Sequence, residues 1–243
     1  MANLEVCIDS AAGLDACVRA GPARVELCSA LALGGLTPGY GLMKLAGQTS
    51  LCVYAMIRPR AGDFVFTDKE VSIMCDDINI AAEAGMSGVV LGAANPNPSL
   101  NVQALQKMVR TAGSLGKTLH RVIDTLNNPL LGMEVAIDLG FDRILSSGGK
   151  PSAEHGTALL NELREQSAGR IDVMAGSGLT PELVKVIFKK TGITSFHSSC
   201  TRVASVTGEP SPLGFSNASL RQTDSTLITQ YLVELNKIEL QAK

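Results

Sequence analysis

A chain of 243 residues with 45% hydrophobic content can bury a substantial core, and it falls in the range of one barrel domain or of two smaller domains. Its formal net charge is -2, its Lys and Arg are scattered and 4% of its residues are aromatic; it offers neither a basic phosphate-tracking face nor a base-stacking platform, which argues against nucleic acid as a partner. Met1 to Glu5 has no basic region leading into an apolar stretch and no apolar run is long enough to cross a bilayer, so a soluble cytoplasmic protein without a membrane partner is expected.

In chain order, short apolar runs mark strands at Leu4 to Ile8, Arg24 to Cys28, Leu51 to Arg58, Gly88 to Leu91, Thr118 to Val122, Arg143 to Ser147, Ile171 to Ala175 and Thr194 to Ser198. Between them the apolar residues recur at helical spacing: Val71, Met74, Ile78, Ala81 and Ala82 form one stripe, Leu105, Met108, Val109 and Ala112 a second, Leu183, Val186 and Ile187 a third. Thr67 with Glu70 makes a capping box, and Thr37-Pro38 and Thr180-Pro181 each place a capping hydroxyl ahead of a first-turn proline. Gly21, Gly85, Gly140 and Gly192 mark helix ends.

The phrase Gly21-Pro22-Ala23-Arg24-Val25 returns as Gly140-Phe141-Asp142-Arg143-Ile144, as expected of one repeated unit. Strands separated by helices run parallel, and right-handed crossovers put all the helices on one side of a closed sheet. The expected fold is therefore an α/β single-domain (β/α)8 barrel, a TIM barrel, spanning 1–243 with no linker. An open dinucleotide-binding sheet is the rival, but no Gly-x-Gly-x-x-Gly turn follows the first strand, so no nucleotide cofactor is expected. Residues 203–223 read as a long loop, and 224–240 as a C-terminal helix with Ile228, Tyr231, Leu232 and Leu235 on its apolar face; Gln241 to Lys243 are expected to fray.

Alternate residues of a barrel strand point into its centre, where charged side chains are costly unless paired. Glu5 and Cys7 share that parity on the first strand, and Arg24, Glu26 and Cys28 on the second. Met56 and Arg58, then His120, then His197 and Ser199 follow on later strands. Cys7, Asp9, Cys28, Arg58, Arg60, His120, Arg121, Asp124, Ser147 and His197 are expected to converge at the carboxyl end of the strands. Either Glu5 or Glu26 can alternatively neutralise Arg58 in a structural ion pair. The loop Ala175-Gly176-Ser177-Gly178, followed by a helix at Thr180, suits an anion, and Arg58 with Arg60 can grip a second one. Six cysteines are spread thinly without a Cys-x-x-Cys pair, which favours reduced thiols; Cys17, Cys52 and Cys75 are assigned to the core.

Glu5-Val6-Cys7, Arg24-Val25-Glu26-Leu27-Cys28, Gly34-Gly35-Leu36-Thr37-Pro38, Ile57-Arg58-Pro59-Arg60, Gly62-Asp63-Phe64, His120-Arg121 with Asp124, Ser147-Gly148, Met174-Ala175-Gly176 and Phe196-His197-Ser198-Ser199 together resemble the CutC family in order and spacing, from Leu4 to Ser199. That resemblance implies a triosephosphate isomerase-type barrel, a cytoplasmic homo-oligomer (dimer or tetramer) and a role in copper tolerance or trafficking, with copper(I) on Cys7 and Cys28. Val122-Ile123 depart from the family's pattern after His120-Arg121 and alter the pocket wall.

Two functions follow. One is copper binding, with copper(I) on Cys7 and Cys28 and His120 or His197 as an extra ligand. The other is an enzyme acting by proton transfer on a small anionic or phosphorylated metabolite. There Glu26, His120 and Asp124 form the catalytic set, and Arg58, Arg60, Arg121, Ser147, Gly176, Gly178, His197 and Ser199 hold the anion.

Overall fold

The computed structural model describes residues 2–203 and 221–241. Strand β1 (Asn3–Ile8) leads into α1 (Ala11–Ala20), which starts where Ser10 accepts from the Gly13 N–H and stops at Gly21 in the left-handed region (φ 68°). The unit then repeats. β2 (Arg24–Leu27) precedes α2 (Tyr40–Gly47), β3 (Val53–Met56) precedes α3 (Asp68–Glu83), and β4 (Gly88–Leu91) precedes α4 (Val102–Ala112). β5 (Gly116–Leu119) precedes α5 (Pro129–Asp138), β6 (Arg143–Ser146) precedes α6 (Thr157–Ser167), and β7 (Asp172–Gly176) precedes α7 (Pro181–Thr191).

β8 (Ser195–Ser198) pairs in parallel with β1 and closes the barrel in the order β1 to β8, the expected (β/α)8 architecture. After it come β9 (Thr201–Val203) and β10 (Arg221–Thr223), an antiparallel ribbon, and α8 (Ser225–Gln241), which packs on α7 and α1. The span expected to be loop, 203–223, contains β10 and the last residue of β9. The rest of that span, 204–220, and residues 242–243 of the end expected to fray lie outside the described residues, while Gln241 is the last residue of α8. Among the described residues no helix is long and apolar enough to cross a membrane.

Alternation divides the interior. Leu4, Val6 and Ile8 are fully buried in the main apolar core, while Glu5 and Cys7 belong to the other parity. A second, small apolar cluster holds Cys28, Tyr54, Met56 and Val90. Tyr54 fills space that two glycines leave free: a Cβ at Gly88 would fall 2.5 Å from its ring, and one at Gly116 would overlap its hydroxyl.

Three local expectations need correction. Thr37 does not cap α2, whose N-cap is Gly39 without a side-chain bond; its hydroxyl instead accepts from the Arg58 backbone N–H at 3.0 Å. Val184 and Ile187 carry the buried face of α7, with Val186 exposed. Cys52 precedes β3 and is exposed, whereas Cys17 and Cys75 are buried as expected.

Candidate functional site

Barrel closure sets the register that assembles the site. Glu5 lies beside Arg24 on β2 and beside His197 on β8, and Cys7 lies beside Glu26. Glu5 is wholly buried; it accepts from Arg24 Nε on one oxygen and from His197 Nδ1, 2.8 Å away, on the other. Burial disfavours its charge, yet the His197 hydrogen bond and the Arg24 guanidinium outweigh that and hold its pKa at about 2. The expected ion pair of Glu5 or Glu26 with Arg58 does not form: Arg24 and His197 take Glu5, and Arg58 has no carboxylate partner among the described residues.

With its Nδ1 proton committed to Glu5, His197 turns Nε2 to Glu26 Oε2, 3.6 Å away. Burial opposes a charged His197, but the acidic groups around it, Cys7, Glu26 and Glu5, raise its pKa well above that of an ordinary imidazole. Burial pushes the Cys7 thiol up, and it lifts Glu26 to about 7 even though His197 pulls the other way. One ligand atom each from Cys7, Glu26 and His197 lie within 4.8 Å of one another, the one such metal-capable group among the described residues. Glu26 Oε1 is buried without a hydrogen-bond partner among the described residues.

Arg58 and His120 form another part of the same wall. Arg58 Nη1 donates to the carbonyls of Leu33 (3.0 Å) and Gly35 (3.1 Å), and Nη2 to that of Gly62 (2.8 Å), while its Nε is buried and has no partner among the described residues. His120 accepts from the Val122 N–H on Nδ1, which leaves the proton on Nε2, also buried and without a partner among the described residues. Burial, helped by the Arg58 charge, lowers its pKa to about 3, so the ring is neutral. Phe64 stands against both, 5.0 Å from the Arg58 guanidinium carbon and 4.6 Å from the His120 ring centre.

Cys7, Glu26, Arg58, His120 and His197 all line one cavity of ≈ 450 Å³ at the carboxyl end of the strands. Met56, Leu31 and Leu145 give it apolar wall, and Ser177, Gly178, Leu179, Ser199 and Thr201 line it further, with Arg121 and Arg221. Ser177 (φ 80°) and Gly178 (φ 69°) are successive left-handed residues, the turn that brings this loop over the barrel end.

Other expected site residues lie elsewhere. Arg60 is turned away onto Glu70 and Asp63, so it does not join Arg58 in gripping an anion. Asp124 is absent from the cavity wall. It accepts from Ser146 Oγ (2.6 Å), from Arg121 Nε (2.9 Å) and from the backbone N–H groups of Ser147 and Gly149, which ties the loop after β5 to the loop after β6. Ser147 is buried in that network, and Gly176 packs on Leu145 and His197 without lining the cavity. Asp9 accepts from the Leu31 N–H and braces a loop. Cys28 is fully buried, with Gly35 so close that a Cβ there would sit 3.1 Å from its sulfur; its thiol pKa is driven well up by burial.

The sequence reading gave no role to Phe64, Gly92 or Arg221. Gly92 makes room for His120, since a Cβ there would fall 2.5 Å from His120 Cε1. Nothing local in the sequence marks it, and only Phe64 lies within a motif already singled out, Gly62-Asp63-Phe64.

The family model described as "CutC family" matches residues 2–202. The chain is 44% identical over 232 residues to a family protein CutC of Rhizobium meliloti (strain 1021), covering 93% of each. It is 40% identical over 238 residues to one of Caulobacter vibrioides (strain NA1000 / CB15N), covering 97% of each. The crystal structure of a candidate copper homeostasis protein CutC from Streptococcus agalactiae superposes with a TM-score of 0.78 at 32% identity, over 82% of this chain and 99% of that one. Phosphoribosyl anthranilate isomerase from Thermococcus kodakaraensis (TM-score 0.59, 12% identity, 97% of this chain and 99% of that one) shares the fold alone.

Proposed function

Because the chain belongs to the CutC family, we propose that it handles copper(I) at the barrel mouth, with Cys7 and His197 as ligands and Glu26 facing the ion. The observation that carries this is the convergence of three donor atoms within 4.8 Å beside a solvent-connected cavity, with Glu26 Oε1 left without a partner. A thiolate and an imidazole are donors that copper(I) accepts, and the carboxylate balances charge or completes a site for a divalent ion such as zinc. Glu5 acts behind His197, holding the tautomer that presents Nε2, as outer-sphere carboxylates do in metal sites.

The resemblance assigns copper to Cys7 and Cys28 together. The full burial of Cys28 and its enclosure by Gly35 favour Cys7, which lines the cavity, as the sulfur ligand that exchanges metal. Anaerobic competition titration with copper(I) tests this. Cys7→Ser is expected to weaken binding at least about tenfold, roughly 1.4 kcal/mol, with Cys28→Ser close to wild type. Equal losses restore the cysteine pair, and an unchanged Cys7→Ser removes copper from this cavity.

A second reading rests on the Glu26 pKa of about 7. A buried carboxyl poised near neutrality is suited to proton transfer, here on a small anionic metabolite held by Arg58, Gly178, His197 and Ser199. Neutral His120 then serves as a hydrogen-bond donor, and Asp124 as a brace for the loops. The two readings make opposite demands on Glu26, ligand in one and acid–base in the other. In either case the reading includes one domain acting as a homo-oligomer in the cytoplasm.

A further inference from the structure

We propose that the cavity binds a small organic carboxylate whose two oxygens accept from Arg58 Nε and His120 Nε2. The inference deepens the second reading by naming its ligand class, and it requires neither a metal nor proton transfer.

Arg58 and His120 are 5% and 3% exposed, each keeps one buried N–H without a partner among the described residues, and both residues line the same cavity. A buried donor left unpaired costs the folded state about 1–3 kcal/mol. Two of them on one cavity wall are accounted for when a ligand supplies the acceptors. Among the described residues the cation is also unmatched: the Arg58 bonds go to the carbonyls of Leu33, Gly35 and Gly62, which satisfy hydrogens without carrying a charge.

Both side chains are held in place. Phe64 lies against both groups, the Val122 N–H fixes His120 Nδ1 as acceptor and hence Nε2 as donor, and the missing Cβ of Gly92 seats the ring. One carboxylate brings a single negative charge to a single guanidinium and two oxygens to two N–H groups. A phosphate dianion brings more oxygens than these two N–H groups satisfy, and Phe64, Met56 and Leu31 in the same lining supply no side-chain donors. The same apolar side chains suit a short hydrocarbon body behind the carboxylate.

Ligand-observed NMR titration of the full chain in metal-chelating buffer tests this with sodium propionate, its neutral isostere propionamide and inorganic phosphate. The expected result is saturable 1:1 binding of propionate, at least about tenfold tighter than that of propionamide or phosphate. Arg58→Gln and His120→Phe should each weaken propionate binding at least about tenfold, and Arg60→Gln, outside the cavity, should leave it unchanged. Arg58→Gln also removes a brace between two loops, so His120→Phe, which keeps an aromatic ring against Phe64 and deletes only the donor, is the decisive variant if the former fails to fold. Propionate binding no tighter than propionamide, tighter binding of phosphate, or full affinity in His120→Phe overturns the proposal. Because no metal is present, none of these outcomes bears on copper binding.

Discussion

At the scale of single residues, Glu26 is the group whose protonation the fold changes most usefully. Its pKa of about 7 stands above the ordinary 4.5, so the folded chain holds that proton more tightly than the unfolded chain does. The stability this supplies is present below about 4.5 and is lost as pH rises through 7. Glu26→Gln, an isostere of the protonated acid, is therefore expected to melt above wild type at pH 8, with the difference shrinking by pH 5. Thermal unfolding at the two pH values checks this, and an equal difference at both contradicts it. Glu5 behaves in the opposite sense: its pKa of about 2 lies below 4.5, so its contribution is present above 4.5 and lost only as pH falls through about 2.

At the scale of elements, glycines in and just after the strands decide which side chains reach the barrel interior. Gly92 follows β4, and a methyl group there would meet His120 Cε1 at 2.5 Å and Val122 Cγ1 at 2.7 Å. Overpacking of this kind costs about 1–3 kcal/mol. Gly92→Ala is thus expected to destabilise the chain by that amount in denaturant unfolding and to move the His120 ring resonances; unchanged stability with an unmoved ring contradicts the packing described. Such steric roles are not legible in sequence, because they depend on a side chain from a neighbouring strand. Period-two patterning is legible, and it put Glu5 and Cys7, and Arg24 and Glu26, on the interior parity where the structure has them. Local patterning also misleads. Arg58 and Arg60 flank Pro59 and look alike, yet Glu70 at the start of α3 draws Arg60 away while the backbone of the Leu33–Gly35 loop keeps Arg58 inside. Thr37-Pro38 carries the chemistry of a helix cap, but the Arg58 backbone competes for the hydroxyl and wins. Asp124 is a charged residue of a matched motif, and only the positions of Ser146, Ser147 and Gly149 show that it binds loops together.

At the scale of the whole molecule, the site exists only because the sheet closes. The hydrogen bond between Glu5 and His197 joins residues 192 apart in sequence, across the seam where β8 meets β1. A net charge of -2 spread over 243 residues conceals an interior in which Glu5, Arg24, Glu26, Arg58 and two histidines are nearly buried. Part of that interior is self-compensated, Glu5 with Arg24 and with His197 Nδ1. Glu26 Oε1, Arg58 Nε and His120 Nε2 have no hydrogen-bond partner among the described residues, and all three residues line the one cavity. X-ray absorption at the copper edge, on protein loaded with one equivalent of copper(I), tests the metal corner most directly. One sulfur scatterer together with nitrogen from imidazole is the predicted first coordination sphere; two sulfur scatterers, or copper held equally well by Cys7→Ser, would contradict it.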